Sequence, residues 1–363
     1  MAFNRMAKID IYAFFSGLGF LDLAFESEEG CRVVLASEFE SEYARSYSYA
    51  REQMGIKAVT PIVGSSEEFL SGSKADLLSK KIEASRNAGN KVVFIAGPPC
   101  PDFSIAGKNK GGRGENGRLT RVYFDLVLKF SPDAFVFENV KGLYRTKVHR
   151  AFFESMKKRI HDDYGETDEK LMNSLWFGAP QDRDRIILIG VKGTKSVSIP
   201  WEAQFKFTKS QIEGFAWPSA DTYGENSRRK IPKGVPRELT VQHWFDGNQV
   251  NEHPNTYDFF KPRQGLKRFK VVEEGDDSRK SYKRLHRWRY SPTVAYGNNE
   301  VHLHPYKSRR ITVSEALALQ GLPREFSLPP DVTLTDKFKM IGNGVPYQMG
   351  RGIVAYVKSV FAP

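Results

Sequence analysis

Five short apolar runs mark the first half of the chain: Ile9–Phe15, Val33–Ser37, Val92–Ala96, Ala134–Phe137 and Ile186–Val191. Each has the length of a strand and ends in small or acidic residues, the pattern of strands buried on both faces of a parallel sheet. Helical spacings lie between them. Phe20–Glu28 closes at Gly30, Ser41–Met54 closes at Gly55, Thr120–Phe130 stops before Ser131-Pro132, and Val148–Ile160 has the same period. This alternation predicts a doubly wound, mostly parallel α/β domain over roughly the first 190 residues. From about Lys192 to Tyr290 the alternation ceases and Pro, Gly, basic and aromatic residues increase. A helix-like stretch, Thr312–Gln320, then ends at Gly321, followed by a Gly-rich turn, Ile341–Pro346, and a helix over Tyr347–Val360. The predicted organisation is a large domain of residues 1–192 plus 335–363 and a smaller, irregular one of residues 193–334.

Composition narrows the class. The chain has 363 residues, 40% hydrophobic and 27% charged, with a formal net charge of +12. An extended acidic partner such as nucleic acid suits that excess, which is concentrated in Lys261–Tyr290, with 11 Lys or Arg against 4 Asp or Glu. Two cysteines, Cys31 and Cys100, are too few for a disulfide framework or a cysteine zinc site, so no metal is expected and a reducing compartment is. The N-terminal residues lack a secretion signal and no run of 18 apolar residues occurs, so a cytoplasmic, non-membrane protein is expected.

Four stretches carry candidate chemistry. Phe14–Glu26, FFSGLGFLDLAFE, has glycines that let backbone approach a ligand, but Asp22 stands where a dinucleotide fingerprint has its third glycine. Glu38 ends the next apolar run, where an acid can take two ribose hydroxyls. Val92–Ser104 sets Cys100 between Pro99 and Pro101 at the end of a strand, the edge where open α/β sheets bind ligands. The prolines speak for a stiff loop rather than a buried structural thiol. Glu138 follows another strand within FVFENVKGL; alone it reads as a solvated cap, and it gains meaning only if its strand neighbours that of Cys100. Arg183 and Arg185 alternate within FGAPQDRDRIILIG and share a face, although pairing with Asp182 and Asp184 is the plainer reading.

These stretches, followed by Arg309–Pro323 (RRITVSEALALQGLP) and Ile341–Pro346 (IGNGVP), resemble the cytosine-5 DNA methyltransferase family in order and content over most of residues 10–192 and 291–360. The resemblance implies a Rossmann-like fold of the S-adenosylmethionine-dependent methyltransferases with a target recognition region at about 201–290. It further implies that Cys100 adds to C6 of a flipped cytosine, which makes C5 nucleophilic. Glu138 would protonate N3, Arg185 would hold O2, and Arg183 would orient the Glu138 region or contact DNA. S-adenosylmethionine would lie against Phe15, Gly17, Leu18, Gly19, Glu38, Phe39, Pro99, Asn343 and Val345. The family's adenine-binding Asp is missing from PIVGSSEEF, where Ser65 or Ser66 would have to serve.

The segment Ser104–Arg121, with five glycines and five basic residues, reads as a lid over DNA, with Ser104, Lys108, Lys110 and Arg113 as contacts. Arg263, Arg268, Arg284 and Arg287 are candidates for guanine or phosphate contacts in the recognition region. The expected partner is duplex DNA, bound by a monomer in a bacterial nucleoid, with a cognate restriction endonuclease acting separately. A transfer-RNA cytosine methyltransferase is disfavoured because no cysteine lies beyond residue 100. A non-catalytic DNA-binding regulator is disfavoured because both nucleophile and cofactor loop are present, and a dehydrogenase fails on Asp22.

Overall fold

The computed structural model describes residues 8–99, 115–262, 265–294, 297 and 300–362. Its sheet contains β1 (Ile9–Phe14), β2 (Cys31–Glu38), β3 (Ile62–Val63), β4 (Lys91–Ala96), β5 (Ala134–Val140), β6 (Asp168–Asn173) and β7 (Asp184–Val191). The order is β3-β2-β1-β4-β5-β7-β6. The first five are mutually parallel, while β7 runs antiparallel to both β5 and β6. The described helices are α1 (Phe20–Glu26), α2 (Ser41–Gln53), α3 (Gly72–Asn87), α4 (Glu115–Phe130), α5 (Gly142–Arg145) and α6 (Lys147–Tyr164). They continue with α7 (Lys209–Gly214), α8 (Val241–Gly247), α9 (Leu266–Phe269), α10 (Val313–Leu319), α11 (Leu334–Asn343) and α12 (Tyr347–Ser359).

Period-two alternation divides the strand side chains between two cores. Ile11, Ala13, Val93, Ile95, Val136 and Ile187 face one way, onto α1, α2 and α12. Tyr12, Phe14, Phe94, Phe135, Phe137 and Leu188 face the other, onto α3, α4 and α6. Every residue of β1 is buried, and even Asp10 is accommodated, by Arg32 at 2.8 Å and by Asn90 at 3.0 Å.

Each of the five apolar runs forms a strand, and the helical spacings coincide with α1, α2, α4, α6, α10 and α12. Three features differ from the sequence reading. The edge strand β6, DEKLMN, has only its last two residues buried, so it lacks an apolar run. The helix α3 buries only Ala75, Leu78, Ile82 and Ser85, a stripe too sparse to stand out. The motif Ile341–Pro346 is only half a turn, because Ile341–Asn343 end α11 and Gly344 begins the turn.

The segment after β7 is irregular, with 3₁₀ turns, short helices and isolated bridges such as Asp221↔Glu274 and Arg284↔Leu303. Its local apolar clusters are small, one of Ile212 and Leu239 packed with Leu175 from the turn before β7, another of Phe269, Val272 and Leu303. Trp201, Val241, Phe245, Val250 and Leu285 tie the segment to the main core, and polar cross-links add to that order and correct two expectations. Arg284, expected at DNA, is 1% exposed and donates to the carbonyls of Val272 (2.9 Å), Lys307 (3.2 Å), His304 and Phe269. Arg287 is 3% exposed, paired with Glu274 at 2.7 and 2.8 Å and bonded to Ser227. Guanidiniums enclosed and saturated by protein acceptors are structural. Arg268 remains exposed on α9, over the Tyr282 ring at 5.1 Å, and Arg263 lies outside the described residues.

Removing a buried donor strands its acceptors at about 1–3 kcal/mol each. Arg284→Met should therefore lower unfolding free energy by roughly 3 kcal/mol or more in urea titration, whereas Arg268→Met should change it by less than about 0.5 kcal/mol. Equal stabilities for the two variants would remove Arg284 from the scaffold.

Candidate active site

Sheet topology decides which side chains meet. Because β1, β4 and β5 are parallel neighbours, the segments that leave them emerge at one edge. The antiparallel β7 begins at that same edge, so residues at its start return to the ends of β5: Val140 pairs with Arg185 and Glu138 with Ile187. The condition that made Glu138 interesting, adjacency of its strand to the one before Cys100, is met by β4 and β5.

Glu138 is 6% exposed, and its Oε1 lies 2.7 Å from Nε of Arg185. Its Oε2 lies against Gly97, where a Cβ would come within 2.7 Å, so glycine there is what admits the carboxyl beside the Gly97-Pro98-Pro99 segment. Burial raises the carboxyl above its ordinary value, while the charges of Arg185 and Arg183 oppose that rise. Arg183 is 1% exposed and donates to the carbonyl of Gly342 at 2.6 Å, joining this edge to the end of α11. Lys141 pairs with Asp184, and Asn173 donates to Asp182 (2.6 Å) and Asp184 (2.8 Å), so both aspartates have partners other than the two arginines.

The neighbouring loop after β1 is conformationally unusual. Phe15, Gly17 and Gly19 all have positive φ, at 56°, 55° and 67°. A non-glycine residue there is strained, and such strain persists where the surroundings impose it. At Gly19 a Cβ would meet the Tyr47 ring at 2.1 Å. Glu38, 8% exposed, accepts from the backbone N–H of Gly17 (2.7 Å) and of Glu40 (3.0 Å), so it fixes the loop while retaining lone pairs on both oxygens. Burial raises this carboxyl too, against those N–H donors. Phe39 follows with 67% of its surface exposed, an apolar face at the ligand edge. Across the loop Gly344 presses on Phe20, Val345 is buried and Asn343 is exposed. An acid for ribose hydroxyls, an open aromatic ring and a backbone turned by positive φ fit S-adenosylmethionine. At the missing aspartate, the Ser65 hydroxyl accepts from Glu67 N–H at 3.2 Å as a helix cap and keeps its own proton to donate.

Cys100, Ser104, Lys108, Lys110 and Arg113 lie outside the described residues, while Pro99 is exposed at the end of its segment. Residues 115–121, expected to belong to a lid, form the first turns of α4, where Arg118 pairs with Glu67. Two residues escaped the sequence reading. Gln181, fully buried, donates to Leu319 O (3.1 Å) and Gln320 Oε1 (3.2 Å) and accepts from Val294 N–H (3.0 Å), so it ties β7's approach to α10. Arg51, 1% exposed, donates to the carbonyls of Leu18 (2.9 Å) and Gly19 (2.5 Å) and pairs with Glu26 (2.9 Å). The signal was present in i, i+4 spacing, Asp22 with Glu26 and Tyr47 with Arg51, on facing helices.

A family model described as C-5 cytosine-specific DNA methylase matches residues 9–359. The chain is 48% identical over 357 residues to the Type II methyltransferase M.NmeDI of Neisseria meningitidis serogroup C, covering 97% of this chain and 84% of that one. It is 25% identical over 361 residues to the Type II methyltransferase M.MthTI of Methanothermobacter thermautotrophicus, covering 97% of each. Among solved structures, the Dnmt2 methyltransferase of S. pombe has the same fold, with a TM-score of 0.59 at 11% identity over 98% of both chains. Spodoptera frugiperda DNMT2 has it too, with a TM-score of 0.58 at 14% identity over 96% of this chain and 99% of that one. The edge where β1, β4, β5 and β7 converge thus belongs to a member of the C-5 cytosine-specific DNA methylase family.

Proposed function

We propose that this chain methylates C5 of a cytosine flipped out of duplex DNA, with Cys100 as nucleophile and Glu138 and Arg185 as the pair that receives the base. The observation that carries the reading is the buried Glu138 carboxyl, held beside the Gly97–Pro99 segment and against Arg185. A cytosine carbon is a poor nucleophile, so addition of a thiolate to C6 is needed to enrich C5. As that bond forms, negative charge moves toward N3 and O2. Glu138, whose affinity for a proton is raised by burial, gives a proton to N3, and Arg185 stabilises O2 while limiting how far that carboxyl is raised. Arg183 holds the assembly to α11 through Gly342. S-adenosylmethionine would supply an electrophilic methyl for C5 when bound, and loss of the C5 proton would then release the Cys100 thiolate from C6. Phe15, Gly17, Leu18 and Gly19 would hold it through the loop backbone, with Glu38 for the ribose, Phe39 for the adenine, Pro99 for the sulfonium end, and Asn343 and Val345 for the carboxylate end.

Residues 201–290 serve as the recognition region, with exposed Arg268 at phosphate or base edges and the basic residues of 104–113 over the backbone. The designation of relatives as Type II methyltransferases supports a place in restriction–modification, beside a separately acting endonuclease.

Cys100→Ser should abolish methyl transfer while duplex binding stays within about threefold by gel shift. DNA carrying 5-fluorocytosine at the target should be trapped covalently by the native chain with S-adenosylmethionine; trapping by the serine variant would assign the nucleophile elsewhere. Glu138→Gln removes the proton given to N3 and should slow the single-turnover rate by about 100-fold or more, with cofactor affinity unchanged. A native single-turnover rate in that variant would dismiss Glu138 as the acid.

A further inference from the structure

The cofactor loop rests on a cluster of buried charges that the methyl-transfer chemistry does not use. Two carboxylates of α1, Asp22 and Glu26, face one guanidinium of α2, Arg51. Arg51 is enclosed by the Tyr47 ring at 4.1 Å and the Phe326 ring at 5.9 Å, and its remaining donors go to the carbonyls of Leu18 and Gly19. Glu26 takes Arg51 and also the hydroxyl of Tyr47, at 3.1 Å. Asp22 is 3% exposed, and its Oδ2 has no hydrogen-bond partner among the described residues. The groups that act on it are Arg51 and Tyr47 from α2, Glu26 from its own helix and Ser16 from the loop. The helix α12 packs on α1 through Gly350, against Ala24 and Leu21, and brings Lys358 to Glu28 and to the carbonyl of Glu29, beyond the other end of α1.

We propose that Arg51 and Asp22 are positioning residues for the methyl donor: Arg51 shapes the loop, and the charge of Asp22 beneath it favours a cationic ligand over its neutral product. The inference rests on the reading of Phe15–Gly19 as the donor loop. When both carboxylates are ionised, one guanidinium leaves an excess negative charge below that loop. The donor carries one more positive charge than the demethylated product, so only the donor gains from the excess. At an effective dielectric of about 20, a unit charge within about 12 Å changes affinity roughly tenfold.

Burial raises the Asp22 carboxyl to about 7, against the Coulombic pull of Arg51. Two opposite consequences share one pH window. Protonated Asp22 is the form that folding tolerates, so its contribution to stability is present below the ordinary value of 3.8 and is lost as pH rises through about 7. Donor affinity rises through that window as the charge appears, and by reciprocity donor binding expels the proton.

The test is calorimetric titration of the full chain with S-adenosylmethionine and with S-adenosylhomocysteine, at about pH 6 and about pH 8.5, on native protein, Asp22→Asn and Arg51→Lys. In the native chain donor affinity should rise about tenfold between the two conditions, while product affinity stays level. In Asp22→Asn donor affinity should stay at its low-pH value and product affinity should be unaltered. The same variant should melt no lower than native at the higher pH, which a purely structural role for Asp22 would not allow. Arg51→Lys, which cannot span both carbonyls, should weaken the two ligands alike. Equal loss of donor and product in Asp22→Asn, or an unchanged pH dependence, would overturn the charge role. Native affinity for both ligands in Arg51→Lys would remove Arg51 from the loop's support. Failure of the native chain to bind either ligand would overturn the donor-loop reading itself, and this inference with it.

Discussion

A buried acid–arginine pair sets two influences against each other: the carboxyl is hidden from water, which raises its affinity for a proton, and a cation close by opposes that rise. Glu138 experiences both because two strands of opposite direction meet at β5 and β7. The parallel strand carries the acid up to the sheet edge, and the antiparallel one starts there, which sets Arg185 at 2.7 Å from it. Had β7 run parallel to β5, its first residues would lie at the opposite edge, out of reach. The reversal in an otherwise parallel sheet is thus what assembles the Glu138–Arg185 pair.

The cofactor side follows the same logic with different partners. Its loop bends through three positive-φ residues, and the strain at Phe15 is offset by backbone and side-chain bonds from outside the loop. Glu38 grips the loop at Gly17 from β2, and Arg51 grips it at Leu18 and Gly19 from α2. Both groups are buried, and both spend bonding capacity on backbone. The loop is therefore set before any ligand arrives, which lowers the ordering cost of binding.

Much of this was readable from the chain. Strands buried on both faces announce themselves as apolar runs, so β1, β2, β4, β5 and β7 were legible, and Glu138 stood out because it ends one of them. Elements that bury little gave little signal: β6 at the sheet edge and α3 with its thin stripe. Charged residues were the hardest. Arg284 and Arg287 look like DNA contacts within a basic stretch, because composition records charge and not what surrounds it. Only the fold shows that carbonyls and Glu274 close around them. Arg51 failed to register for the same reason, since its acceptors, the carbonyls of Leu18 and Gly19 and the Glu26 carboxylate, lie 33, 32 and 25 residues away.

The buried arginines also account for how an irregular region keeps its shape. Between residues 201 and 290, Trp201, Val241, Phe245, Val250 and Leu285 anchor the chain to the main core, while the local apolar clusters hold only a few side chains each. A guanidinium can reach several carbonyls at once, so Arg284 joins Phe269, Val272, His304 and Lys307, which no strand or helix brings together. Such a framework depends on backbone acceptors and a few fixed side chains, not on the exposed residues between them. Surface positions such as Arg268 are then free to differ without disturbing the support.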